Sequence, residues 1–303
     1  MPDDMPVAAT CAHKQSDTRY RKVVGELLPV LELMLSRQPI QWSDVEKNMC
    51  LIGARFALTR QFESLRAAVK LCDIDLGHLA VGFVRPACEE LLWLQYLATL
   101  DESDAHDVYL ALGNNDTMRS AQATQDFLGV EAMTEIGFPR GFSEFLAHAV
   151  PAQRKSLKAV GQSLGWPPRT PVPSTQWISE QVGQRKLYDY LYAASSRAVH
   201  FSAGEGLRRA WGDPGGSISV EDVHHRLYLA DFALWQLTKL LLQTISNTEP
   251  WQGELVPRET DCKDDADAMD RLSAFQDLPG VPLVTAREYE LIWKSDGTKH
   301  GST

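Results

Sequence analysis

The chain has 303 residues, of which 44% are hydrophobic, 23% charged and 9% aromatic, and its formal charge is −10. That length allows one large domain or two ordinary ones with ample core, and the composition excludes general disorder, a collagen repeat and a fibrous rod. The acidic balance excludes broad electrostatic capture of DNA or of an anionic membrane surface, but not a local basic patch.

Residues 1–16 are polar and read as disordered. A first helix is predicted over 18–37, with Val23, Leu27, Leu28, Leu31 and Leu35 on one face and Gln38-Pro39 as its stop. Ser43 with Glu46 forms a capping box that opens a long helix to about Cys72. Asp73 or Asp75 caps the next helix, which ends near Leu100. Pro86 lies within it and predicts a kink near Gly82–Arg85, since proline removes a hydrogen bond and crowds the preceding turn.

Further helices are predicted from Ser103 or Asp104 to Phe127, over 130–136 and over 141–163. The four prolines of WPPRTPVPS, residues 166–174, predict an extended surface loop, either a lobe boundary or a long crossover connection. Helices over 175–182 and 184–201 follow. The glycine-rich 212–219 is turn-forming and lacks the spacing of a phosphate-cradling loop.

Val220, Val223, Leu227, Ala230, Leu234, Leu237 and Leu241 step by three and four, as a heptad seam does. Phe232, Trp235, Leu240 and Ile245 widen that surface, which suits a bundle interior and also admits a homodimer. Residues 248–303 carry 12 acids against 6 bases, so most of the charge excess sits there. Within them, residues 261–275 suit a short helix and 282–293 a helix or an edge strand. The expected organisation is a disordered 1–16, a helical bundle over 17–247 and an irregular acidic extension over 248–303.

Five cysteines with no CxxC pair point to a reducing compartment and to no structural zinc. The N-terminal residues do not have the basic start and apolar run of a secretion signal. No run of about 18 apolar residues spans a membrane. A cytoplasmic protein without membrane contact, metal or other cofactor is expected.

Two segments concentrate polar groups among apolar ones. Arg85 and Glu89 stand four apart, where helical side chains meet as a charge-assisted pair, and they lie among Val81, Phe83, Val84, Leu91, Leu92 and Trp93. Tyr188, Tyr192, Ser196 and His200 recur every four residues, with Arg197 sharing the face of His200. Histidine titrates near neutrality and suits general acid–base work. A hydrogen-bonded core network uses the same residues, and a structural ion pair that fixes helix register accounts for Arg85 and Glu89 equally well.

R-x-x-x-E before an apolar run, then Y-x-x-x-[ST]-x-x-x-H about a hundred residues on, resembles an uncharacterised bacterial family of all-helical, HEPN-like character. The resemblance spans roughly residues 40–245 and is carried by Arg85, Glu89, Tyr192, Ser196 and His200. It implies an all-α, HEPN-like bundle of about six to eight helices. Many HEPN proteins are metal-independent ribonucleases or partners of nucleotidyltransferases in toxin–antitoxin or phage-defence systems. Their sites form where two protomers bring Arg-x(4–6)-His motifs together. Here only two residues separate Arg197 from His200, so the motif itself is absent. The implied function is an RNA- or nucleotide-directed effector in defence or stress, with His200 as general base and Arg197 stabilising phosphorane-like charge.

Two further readings stand beside it. One is a non-catalytic helical binding or regulatory module with a structural Arg85–Glu89–Tyr192–His200 network. The other is a di-metal bundle oxidase, for which Glu221-x-x-His224, Asp75-x-x-His78, Glu89 and Glu90 are the available ligands. Ser195 and Ser196 lie near His200 without a nucleophile elbow, which disfavours a serine hydrolase. Arg208 and Arg209, with Arg197 and Trp211, form the local basic–aromatic cluster suited to a phosphate.

Overall fold

A computed structural model of the chain describes residues 8–35, 49–199, 206, 211–212, 218–219, 223–248, 251 and 262–282. Ten α-helices form among them: α1 (Ala8–Leu35), α2 (Cys50–Asp73), α3 (Val81–Leu97), α4 (Glu102–Leu128), α5 (Val130–Glu135), α6 (Phe142–Ser163), α7 (Thr175–Gln181), α8 (Arg185–Val199), α9 (Val223–Asn247) and α10 (Cys262–Gln276). A 3-10 turn, Gly77–Ala80, precedes α3. The strands β1 (Trp211–Gly212) and β2 (Ile218–Ser219) pair antiparallel, with Trp211 opposite Ser219, so the glycine-rich stretch lies between paired strands. The fold is an all-α bundle. Seven longer described helices match the expected six to eight, and the short α5 and α7 and the acidic α10, each also predicted as a helix, stand beside them.

Two compact units are present. The first takes the described parts of 1–38, 57–91 and 186–303, and the second those of 39–56 and 92–185.

In the first unit α9 is the core element. Leu229, Ala230, Phe232, Ala233, Leu234, Leu237, Leu240 and Leu241 are all buried, well beyond one seam. A helix apolar on most sides belongs in an interior. α1 packs on α9 through Tyr20, Val24, Leu27, Val30 and Leu31, a face turned slightly from the predicted one. α1 also starts at Ala8, so residues 8–16 extend the helix instead of being irregular. Alanine, lysine and glutamine dominate that stretch and favour helix.

Asp75 has a left-handed φ of 59°, a conformation aspartate tolerates. It ends the helical path after α2, and the chain resumes through the 3-10 turn. α3 therefore starts at Val81, not at Asp73 or Asp75, and Pro86 falls in its second turn. α3 runs as one helix from Val81 to Leu97, through Pro86. Gly77 packs so closely on α9 that an added Cβ would stand 2.8 Å from the Ala230 Cβ. Part of the acidic segment is docked: α10 packs on α1, Arg271 donates to the Glu26 carbonyl at 2.7 Å, and Phe275, Leu278 and Val281 are buried.

In the second unit α4 and α6 pack side by side as a helical hairpin joined by α5. An aromatic cluster forms its other feature. The Trp166 Nε1–H donates to the Tyr96 hydroxyl at 2.8 Å, and both rings are buried. Trp93 meets Trp166 edge-on at 6.4 Å, and Tyr96 meets Trp177 at 5.8 Å. The proline-rich 166–174 is non-helical as predicted, but Trp166 and Pro173 are buried, so it is anchored at both ends and not wholly a surface loop. Ser174 then caps α7 by accepting from the Trp177 N–H at 3.2 Å.

Candidate functional site

α3 and α8 bring the predicted polar residues together. On α3, one helical turn carries Arg85 to Glu89, and the Arg85 Nε–H donates to Glu89 Oε1 at 2.8 Å. On α8, the four-residue step brings Tyr188 and Tyr192 into tilted ring contact, with centroids 5.4 Å apart. The Arg85 guanidinium carbon stands 4.7 Å from the Tyr192 ring centroid. That distance is a cation–π contact.

The face is open to solvent. The Arg85 and Glu89 side chains are 30% and 31% exposed, and Tyr192 is exposed as well. Burial raises the Tyr188 hydroxyl above its ordinary pKa, with Tyr192 and Glu89 adding to the shift. The Glu89 hydrogen bond raises that of Arg85. Among the described residues, only the Nε of Arg85 is engaged. Its two terminal nitrogens face no acceptor, so the guanidinium fork that recognises carboxylate or phosphate bidentately stays available.

Ser196 lies one turn beyond Tyr192, half-buried. Ser195 is buried and donates to the Leu191 carbonyl at 2.6 Å, which occupies it within the helix. Arg197 falls where only the helix backbone is described. His200, Arg208 and Arg209 lie outside the described residues, as do Glu221, the capping box at Ser43 and the segment 283–293.

A second polar cluster lies on the α2 side of α3. Glu90 pairs with Arg60, and the Gln61 Nε2–H donates to Glu90 Oε2 at 3.2 Å and to the Ala87 carbonyl at 3.3 Å. Burial pushes the Glu90 carboxyl up to about 7 despite Arg60 and Gln61, which pull it down. Burial also raises the neighbouring Cys88 thiol to about 12. Cys88 is therefore a protonated hydrophobe, not a nucleophile.

Sequence reading named Glu90 only as a metal ligand and missed Arg60 and Gln61. One signal for Gln61 exists: it shares the buried face of α2 with Leu58 and Leu65, where an amide needs a partner.

Of the residues named for a di-metal centre, Glu221 and the His224 side chain lie outside the described residues, and the Asp75/His78 pair is not formed on an α-helix. Asp75 sits in the left-handed loop and His78 in the 3-10 turn, so they do not share an α-helical face. Among the described residues no group of three or more His, Cys, Asp or Glu is placed to hold a metal. Nor is any helix among them long and apolar enough to cross a membrane.

A family model matches residues 52–217, more than half the chain. The chain belongs to DUF5677, a family of unknown function. The DUF5677 region contains Arg60, Gln61, Arg85, Glu89, Glu90, Tyr188, Tyr192 and Ser196, hence every described member of both polar clusters. It ends ahead of α9 and α10. No curated protein and no solved structure matches the chain.

Proposed function

We propose that the α3–α8 face binds the phosphate of an RNA strand or nucleotide, and that the protein is a HEPN-like, RNA- or nucleotide-directed effector in bacterial defence or stress. The observation that carries this reading is Arg85. Its Nε is held by Glu89, its guanidinium carbon stands 4.7 Å from the Tyr192 ring centroid, and its terminal nitrogens make no hydrogen bond among the described residues. A guanidinium oriented in advance loses little freedom when it grips an oxyanion. The exposed Tyr192 ring beside it suits base stacking.

In this reading Glu89 positions Arg85, and Tyr188 supports the Tyr192 ring. Ser196 and Arg197 follow along α8 towards His200. Cleavage would use His200 to take the proton of a ribose 2′-hydroxyl. The 2′ oxygen would attack the adjacent phosphorus, the bond to the 5′ oxygen would break, and the protonated His200 imidazole would return its proton to that oxygen, with Arg197 and Arg85 stabilising the charge on phosphorus.

The test compares wild type, Arg85→Gln and His200→Ala on a single-stranded RNA oligonucleotide, with folding checked by circular dichroism. Loss of binding in Arg85→Gln and loss of cleavage in folded His200→Ala support the reading. RNA binding and cleavage unchanged in both variants overturn it.

The one-point Arg85–Glu89 pair also favours a second reading, a non-catalytic helical module in which this network sets helix register. A lower melting temperature in His200→Ala, with no RNA binding by the wild type, is its expected result.

A further inference from the structure

The joined end of the α4–α6 hairpin exposes a group of large apolar side chains. Phe127 is 88% exposed, Ile136 61%, Val130 51% and Phe145 50%. Phe138, Phe142 and Phe145 continue it, with successive centroids 4.7 and 5.9 Å apart. Ser143 donates to Gln125 Oε1 at 2.9 Å, which draws the start of α6 onto the last turn of α4. Large apolar side chains left in water at one end of a hairpin are the mark of an interaction surface.

The charges around the cluster specify its partner. Residues 126–145 hold Asp126, Glu131, Glu135 and Glu144 against the single base Arg140. Glu131, Glu135 and Glu144 are exposed and make no ion pair among the described residues. An apolar patch rimmed by unpaired carboxylates is complementary to an apolar stripe flanked by lysine and arginine. A second copy would set acid against acid in a chain of charge −10, and an anionic bilayer would repel the rim. The stretches 1–7, 36–48, 200–222, 249–261 and 283–303, which lie wholly or mostly outside the described residues, are none of them net basic in sequence.

We propose that this end of the α4–α6 hairpin docks a basic amphipathic helix of a partner protein. The apolar stripe seats on Phe127, Val130, Ile136 and Phe145, and the flanking cations meet Glu131 and Glu135. The anchors on such a helix recur at i, i+3, i+4 and i+7.

The test uses the full chain and a labelled amphipathic peptide of about 18 leucines and lysines, followed by fluorescence anisotropy and by helix induction in the peptide. Phe127→Ser/Phe145→Ser removes apolar anchors, and Glu131→Lys/Glu135→Lys reverses the rim. All four positions are exposed, so both variants fold. Binding that weakens at least about tenfold in each variant, with no binding of a leucine–glutamate helix or of a scrambled leucine–lysine peptide, supports the proposal. Equal binding of the acidic or scrambled peptide overturns it, as does unchanged affinity in either variant. Two other outcomes overturn it too: binding only to vesicles containing phosphatidylserine, or a wild-type dimer that dissociates on Phe127→Ser.

Discussion

Arg85 on α3 and Tyr192 on α8 meet face to charge, with the guanidinium carbon 4.7 Å from the ring centroid, while Glu89 holds the same guanidinium by its Nε. The contact ties two helices far apart in the chain through a partly exposed cation. A cation–π contact at such a site contributes about 0.5–1 kcal/mol. A double-mutant cycle with Arg85→Met and Tyr192→Leu, read by urea unfolding, should give a coupling of that size. Strictly additive losses would show that the two side chains do not depend on each other.

Much of this arrangement was legible in the sequence. The four-residue steps at Arg85/Glu89 and at Tyr188/Tyr192/Ser196 put each set on one helical face, because helical period depends on local spacing alone. The meeting of the two faces was not legible, since periodicity does not say which helix a stripe opposes. For the same reason the Arg60–Glu90 pair escaped notice. Asp75 shows a different limit. Its left-handed backbone stands where a helix cap was expected, and the next α-helix starts only at Val81, after a 3-10 turn. Trp166 looked like part of a surface loop by its prolines, yet its indole is held in the second unit by a tyrosine seventy positions earlier.

That indole makes a prediction. Trp166→Phe keeps an aromatic ring but leaves the Tyr96 hydroxyl without its donor in a buried place. An unsatisfied buried polar group costs about 1–3 kcal/mol, so the melting temperature should fall. Trp166→Phe with Tyr96→Phe removes both partners and should recover part of the loss. A double variant less stable than Trp166→Phe alone would mean that ring packing, not the hydrogen bond, sets the cost.

Gly77 is a position where one methyl group should matter. Its backbone is not left-handed, so the cost of Gly77→Ala is steric: the new Cβ would meet the Cys72 sulfur and lie 2.8 Å from the Ala230 Cβ. Overpacking of this kind costs about 1–3 kcal/mol. Adding Ala230→Gly should relieve part of it. Gly113→Ala is the control, because nothing lies within 4 Å of its Cβ position; in the middle of α4 that change should be neutral or stabilising.

Glu90 gives stability a pH dependence that opposes the usual trend for acids. Its carboxyl titrates at about 7 in the folded chain, up from 4.5, chiefly because burial penalises the charge. Between those values the folded state holds a proton that the unfolded state has released. The protonated carboxyl therefore stabilises the fold fully below pH 4.5, and that contribution is lost as pH rises through about 7. The loss is on the order of 3 kcal/mol, given the rise from 4.5 to about 7 at about 1.4 kcal/mol per pKa unit. Glu90→Gln keeps the shape, supplies a permanently neutral group, and leaves Arg60 in a position 45% exposed, where an unpaired cation is cheaply solvated. The stability of wild type relative to Glu90→Gln, from urea unfolding at successive pH values, should fall between about pH 5 and 8 and level off above. A difference that is flat across the range, or that rises with pH, would mean Glu90 is ionised in the fold and held by Arg60 as an ordinary ion pair.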